Sequence, residues 1–152
     1  MFHQESFEAI RKEDSKLRTY SLFKKEKGLE PYLLEIKNVS LRTKTTKLRL
    51  SNHKLMIEVG RHRGINKSNR TCPFCPESVE NEYHFLFICP TYKAQRDIHI
   101  NPLVRHYPNF SNLDKAQKMD YIMSKVNYDL CNFVEKSFEI REYLIDKPKR
   151  NE

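Results

Sequence analysis

Apolar positions recur at three- and four-residue intervals over much of this chain, which is the spacing of amphipathic helices. Leu17, Tyr20 and Phe23 form the first run, with Asp14 or Ser15 as its cap; it reaches about Lys25, and Gly28 stops it. Pro31 suits the first turn of a short helix carrying Leu33, Leu34 and Ile36. Ser40 can cap the next helix, with Leu41, Thr45 and Leu48 on one face. Arg42, Lys44, Lys47 and Arg49 fall largely on other faces, so the apolar stripe is expected to pack while the basic side chains stay wet. Ser51-Asn-His53 breaks the pattern before Leu55, Met56 and Ile57, and Gly60 and Gly64 bracket the basic turn Arg61-His-Arg63. His53 and His62 have no Cys or His at ligand spacing and read as surface or hydrogen-bonding residues.

The second half repeats the pattern. Pro90 can begin a helix through Tyr92, Ala94 and Arg96 toward Ile98, and Pro102 starts a short segment that Pro108 ends. Asn112 is a candidate cap for a helix holding Leu113, Ala116, Met119, Ile122 and Met123. Asp129 is the candidate cap of a last helix with Leu130, Phe133, Val134, Phe138 and Ile145 on one face, and Cys131 beside that stripe reads as a buried free thiol. Three glycines in 152 residues and a wealth of long side chains agree with helices over sheets. The expected fold is a small all-α domain with a C-terminal helical hairpin. It divides into N-terminal helices (1–38), a basic segment with a central turn (39–106) and the hairpin with its tail (107–152), all in one compact unit.

Charge changes the picture. The formal net charge is +8, yet ten basic residues lie between Lys37 and Arg70 against Glu58 alone. So concentrated a basic segment is the electrostatic footprint of a nucleic-acid-binding module, although a solvated helix face leaves the same trace. No apolar run approaches the roughly 20 residues that span a bilayer, and nothing resembles a secretory signal. The expected location is intracellular, with Lys147-Pro-Lys-Arg150 as a weak nuclear-import signal.

The candidate chemistry follows the basic segment directly. Cys72-Pro-Phe-Cys75, His84 and Cys89 form a Cys-x2-Cys-x8-His-x4-Cys pattern, three thiolates and one imidazole within eighteen residues. That is the donor set of a closed tetrahedral Zn²⁺ site, with net charge of one unit negative. Glu77, Glu80 and Glu82 would favour the start of a helix between the Cys pair and His84; Cys89 would close the site as that helix ends at Pro90. Arg70 and Lys93 are the basic neighbours expected to offset its charge. Other readings of these residues are a redox pair at Cys72 and Cys75, a disulfide framework, or unrelated buried thiols. Pro76 and the polar run before Cys72 argue against the first, and four cysteines are too few for the second.

These residues carry a resemblance. Lys47-Leu-Arg-Leu-Ser-Asn-His53, Gly60-Arg61, Arg70-x-Cys72-x-x-Cys75, Glu82-x-His84-Phe-Leu86 and Cys89-Pro-x-Tyr92-x-x-x-Arg96 resemble the zinc-binding region downstream of reverse transcriptase in non-LTR (LINE-type) retrotransposons. The match covers about Lys16 to Arg96 well and the last two helices more loosely. It implies a polyprotein fragment or descendant that binds template RNA or target DNA. The chain has no Tyr-x-Asp-Asp motif for two-metal polymerase chemistry and no apparent endonuclease motif, so no catalysis is expected.

The expected function is thus that of a non-catalytic zinc module binding RNA or DNA. Arg42, Lys47, Arg49, Arg61, Arg63, Arg70 and Arg96 would contact phosphates. Tyr83, Phe85 and Tyr92 are candidates for base stacking but read first as core. The alternative is a structural element that docks on a polymerase domain without touching nucleic acid. Neither reading involves a membrane or a small-molecule substrate.

Overall fold

The computed structural model describes residues 16–147. Residues 1–15 and 148–152 lie outside it, so the Asp14/Ser15 cap and most of the basic tail are not part of the description. Turns from Lys16 lead into α1 (Tyr20–Phe23). Next come α2 (Tyr32–Glu35), the basic helix α3 (Val39–Arg49) and α4 (Met56–His62). A knuckle region follows and contains a π-helical turn, His84–Ile88, and a 3-10 turn, Pro90–Tyr92. The chain then forms α5 (Lys93–His99), α6 (Asn101–Arg105), α7 (Lys115–Ser124) and the long α8 (Tyr128–Asp146). Among the described residues there is no β-strand, only an isolated antiparallel bridge between Thr71 and Val79. The fold is all-α.

The three longest helices start at side-chain oxygens that satisfy the first free backbone N–H groups. Asn38 accepts from the Leu41 N–H and Asn127 from the Leu130 N–H. Asp114 forms a reciprocal capping box with Gln117. Each cap lies two residues from the one expected at Ser40, Asp129 or Asn112. Cap-type residues are neighbours at all three boundaries, and the choice between them is made by which one is held outside helical geometry.

One apolar core draws on every part of the described chain, from Phe23 and Ile36 through Leu48, Ile57, Phe85 and Ile100 to Met123, Phe133 and Val134. The last helix is its spine: α3 and α5 both lie against α8, while α7 meets α1. The two C-terminal helices are joined by a short turn, yet each takes its main helical partner elsewhere. The knuckle is fastened to the spine by Phe85, whose ring lies 5.5 Å from Phe133 and 4.8 Å from Phe138. Tyr92 meets Phe85 from the other side at 4.9 Å. Phe85 and Tyr92 are therefore core residues, buried to within 1%.

Candidate metal centre

A tight loop places the first two sulfurs. The Cys72 N–H donates to the Ser78 carbonyl at 2.8 Å and the Glu80 N–H to the Arg70 carbonyl at 2.9 Å, which closes the loop at its base. Inside it, the Cys75 N–H donates to the Cys72 carbonyl (3.2 Å) and the Ser78 N–H to the Cys75 carbonyl (2.9 Å), turning both side chains toward one point. Asn81 then starts the next turn by accepting from the His84 N–H at 2.8 Å. The helical turn starts at Glu82, within the expected cluster of glutamates, but Asn81 supplies the cap while Glu80 and Glu82 are buried in ion pairs.

The π winding supplies the other two ligands. His84 and Cys89 are five residues apart, which on an α-helix would place them about 140° apart around the axis. A turn closed by an i→i+5 hydrogen bond takes about five residues to come round once, so the two side chains return to a common face. That bond is present, from the Cys89 N–H to the His84 carbonyl at 2.8 Å. Pro90 follows, with no N–H to extend the helical ladder.

The four ligand atoms converge within 4.8 Å of one another. The Cys89 sulfur lies 3.9 Å from that of Cys72 and 3.8 Å from that of Cys75, and all three cysteines are free. Those separations match the edge of a tetrahedron with metal–sulfur bonds of about 2.3 Å. The His84 Nε2 is buried and has no hydrogen-bond partner, as expected of a nitrogen kept for a cation. Burial, with the Cys89 sulfur and Glu80 adding to it against opposing backbone N–H groups, pushes the Cys72 thiol up to about 12. Burial also raises Cys75 and lowers His84. An arriving cation would thus meet a neutral imidazole and have to displace thiol protons. These residues can hold a metal ion.

The surroundings differ from expectation. Arg70 donates to the carbonyls of Ile65 (2.9 Å) and Ile57 (3.1 Å), and Lys93 pairs with Asp97. The guanidinium groups beside the centre are Arg96, which donates to the carbonyls of Leu86 (2.8 Å) and Cys89 (2.9 Å), and Arg141 of α8. Arg141 grips buried Glu80 through two bonds of 2.8 and 2.9 Å, and Glu80 also accepts from the Met56 N–H at 2.7 Å. A second buried network joins Arg18 to Glu58 and Glu82, with Arg61 on Glu58 and Ser51 and His53 on Glu82. Burial works against ionising Glu82, but His53 and Arg18 outweigh it and hold its carboxyl below the usual range.

Sequence reasoning missed these carboxylates. Glu58 was nevertheless visible as the one acid in a basic stretch, among apolar Met56, Ile57 and Val59.

The seven candidate phosphate contacts divide. Lys47 and Arg63 are exposed, and Arg61 keeps 30% of its side chain exposed beside Glu58. Arg49 is a correction: its side chain is 2% exposed, bonded to Glu30 and set over the rings of Phe23 and Tyr32. Arg42 donates to the Leu33 and Ile36 carbonyls at the end of α2, both at 2.9 Å. Arg42, Arg70 and Arg96 thus spend their guanidinium donors on backbone carbonyls of neighbouring turns and helices. Gly60 makes room for Arg70, since a Cβ there would lie 2.5 Å from the Arg70 Cγ.

No family model, curated protein or solved structure matches this chain. No helix among the described residues is long and apolar enough to cross a membrane.

Proposed function

We propose that the chain is a zinc-stabilised, non-catalytic nucleic-acid-binding module, related to the region downstream of reverse transcriptase in non-LTR retrotransposons. The convergence of Cys72, Cys75, His84 and Cys89 on one point, with the His84 Nε2 left unpartnered, carries this reading. Three thiolates and an imidazole in a tetrahedral array favour Zn²⁺ over harder cations that prefer oxygen. All four positions are taken by protein ligands, so the ion serves folding and has no open position for water. Cations of the basic segment that are exposed and in no ion pair among the described residues, Lys37, Lys47, Arg63 and Lys67, supply the phosphate contacts.

Elemental analysis of purified protein should give one zinc per chain. Fluorescence anisotropy should then show binding to single-stranded RNA and duplex DNA. With about four phosphates neutralised, log affinity falls against log salt with a slope near −3 on single strands and −4 on duplex. Zinc-loaded protein that binds neither at about 50 mM salt rejects the nucleic-acid reading.

One observation favours the second reading, a scaffold that docks on a polymerase domain. Arg42, Arg49, Arg70 and Arg96 turn their guanidinium groups inward, which thins the basic surface. Retained binding to a polymerase fragment without any nucleic-acid binding would select it.

A further inference from the structure

A cavity of about 560 Å³ opens between α1 with the residues just before it, α4, the knuckle and α7. It is within the usual size range of small-molecule sites and separate from the metal centre. Leu22, Ile57 and Met119 give it an apolar lining, and Tyr83 also faces it. The Tyr83 ring is half-buried and braced by Phe87 at 5.1 Å, with the Lys115 Nζ 5.4 Å from its centroid. Lys67 and Lys115 line the same cavity and are exposed, and among the described residues neither forms an ion pair. Asn81, also in the lining, is oriented by its bond from the His84 N–H, which leaves its amide nitrogen as a donor.

We propose that this cavity receives one unpaired base of a single-stranded nucleic acid, stacked on Tyr83, with Lys67 and Lys115 on the flanking phosphates. The proposal rests on the nucleic-acid reading above and names where the strand is held. An apolar cleft with an aromatic face suits the flat surface of a base. Two lysines at its opening match the anionic backbone that any strand entering it must bring. An apolar protein side chain would use the lining but leave both lysines without a counter-charge. The groove between α3 and α8 is a poorer candidate, because Lys44 and Lys54 there already face Glu135 and Glu142. Duplexes are excluded, since paired bases cannot enter a cleft between helices.

The test uses the full zinc-loaded chain, a fluorescent single-stranded RNA and a duplex DNA of equal length. Tyr83→Leu should weaken single-strand binding about tenfold and leave duplex binding unchanged. Tyr83→Phe, which keeps the ring, should bind like the parent. Joint replacement Lys67→Gln and Lys115→Gln should make the single-strand salt slope shallower by about 1.4. The lysine variant alters no buried group, so it decides the matter if Tyr83→Leu misfolds. Parent protein that binds single strands, with the Tyr83→Leu and lysine variants indistinguishable from it, overturns the cavity and leaves the function standing. Parent protein that binds no nucleic acid overturns both.

Discussion

The contact between α3 and α8 is made of buried side chains at helical spacing: Leu41, Thr45 and Leu48 on one helix, Leu130, Phe133 and Val134 on the other. Residues 70–92 have almost no such stripe. They hold instead four convergent donors able to take a metal ion, a loop closed by two backbone bonds, and two buried carboxylates that reach into the helical body. Apolar burial is non-directional and tolerates small shifts. The knuckle depends on directed bonds, each of which leaves an unsatisfied group behind if one partner is lost. The helical half should therefore yield gradually to mutation and the knuckle abruptly.

The largest effect is expected at the metal ligands. Sites of this type contribute about 10–16 kcal/mol of apparent binding free energy in peptides, comparable to a whole domain's stability. Cys89→Ser should abolish zinc retention and unfold the knuckle while the α3–α8 contact stays protected, as hydrogen exchange on the two regions would read. Equal loss of protection in both would erase the contrast.

Next comes the bond between knuckle and spine. Arg141→Ala leaves the Glu80 carboxylate buried and unpaired, at a cost of about 3–5 kcal/mol. The double variant Arg141→Met with Glu80→Leu should recover most of that loss in a denaturant titration, because it removes both buried charges. Failure to recover would mean that the pair also positions the loop.

Within the apolar half, Leu48→Ala should cost about 2–5 kcal/mol through the cavity it opens, with zinc content unchanged. Loss of zinc in that variant would show that the halves do not fold separately. The smallest effect, and the sharpest in sign, concerns Gly60→Ala. Helix propensity alone predicts a gain of about 1 kcal/mol. The clash with the Arg70 stem instead predicts a net loss of about 1–3 kcal/mol, measurable as a lower melting temperature.

Much of this architecture can be read from residue order. The periodicity of Leu41-Thr45-Leu48 and of Leu130-Phe133-Val134 marks two helices that do form, because a 3.6-residue repeat is a local property. The ligand set is equally local: four donors within eighteen residues leave few other ways to satisfy them. The burial of Phe85 and Tyr92 was also the favoured reading of their apolar setting.

What residue order does not contain is the destination of a long charged side chain. Arg42, Arg49 and Arg70 of the basic stretch and Arg96 beyond it look alike as cations, yet each has its guanidinium placed by carbonyls or a carboxylate from another segment. A guanidinium offers five donors at the end of a flexible stem, and only the assembled fold decides which acceptors come within reach. The same holds for Glu80 and Glu82, whose partners lie tens of residues away. Local spacing thus determined the helices and the four donors that can hold a metal in this protein. Tertiary structure decided which charges hold it together and which remain for a partner, because desolvating a charge is favourable only where distant segments bring it a counter-charge.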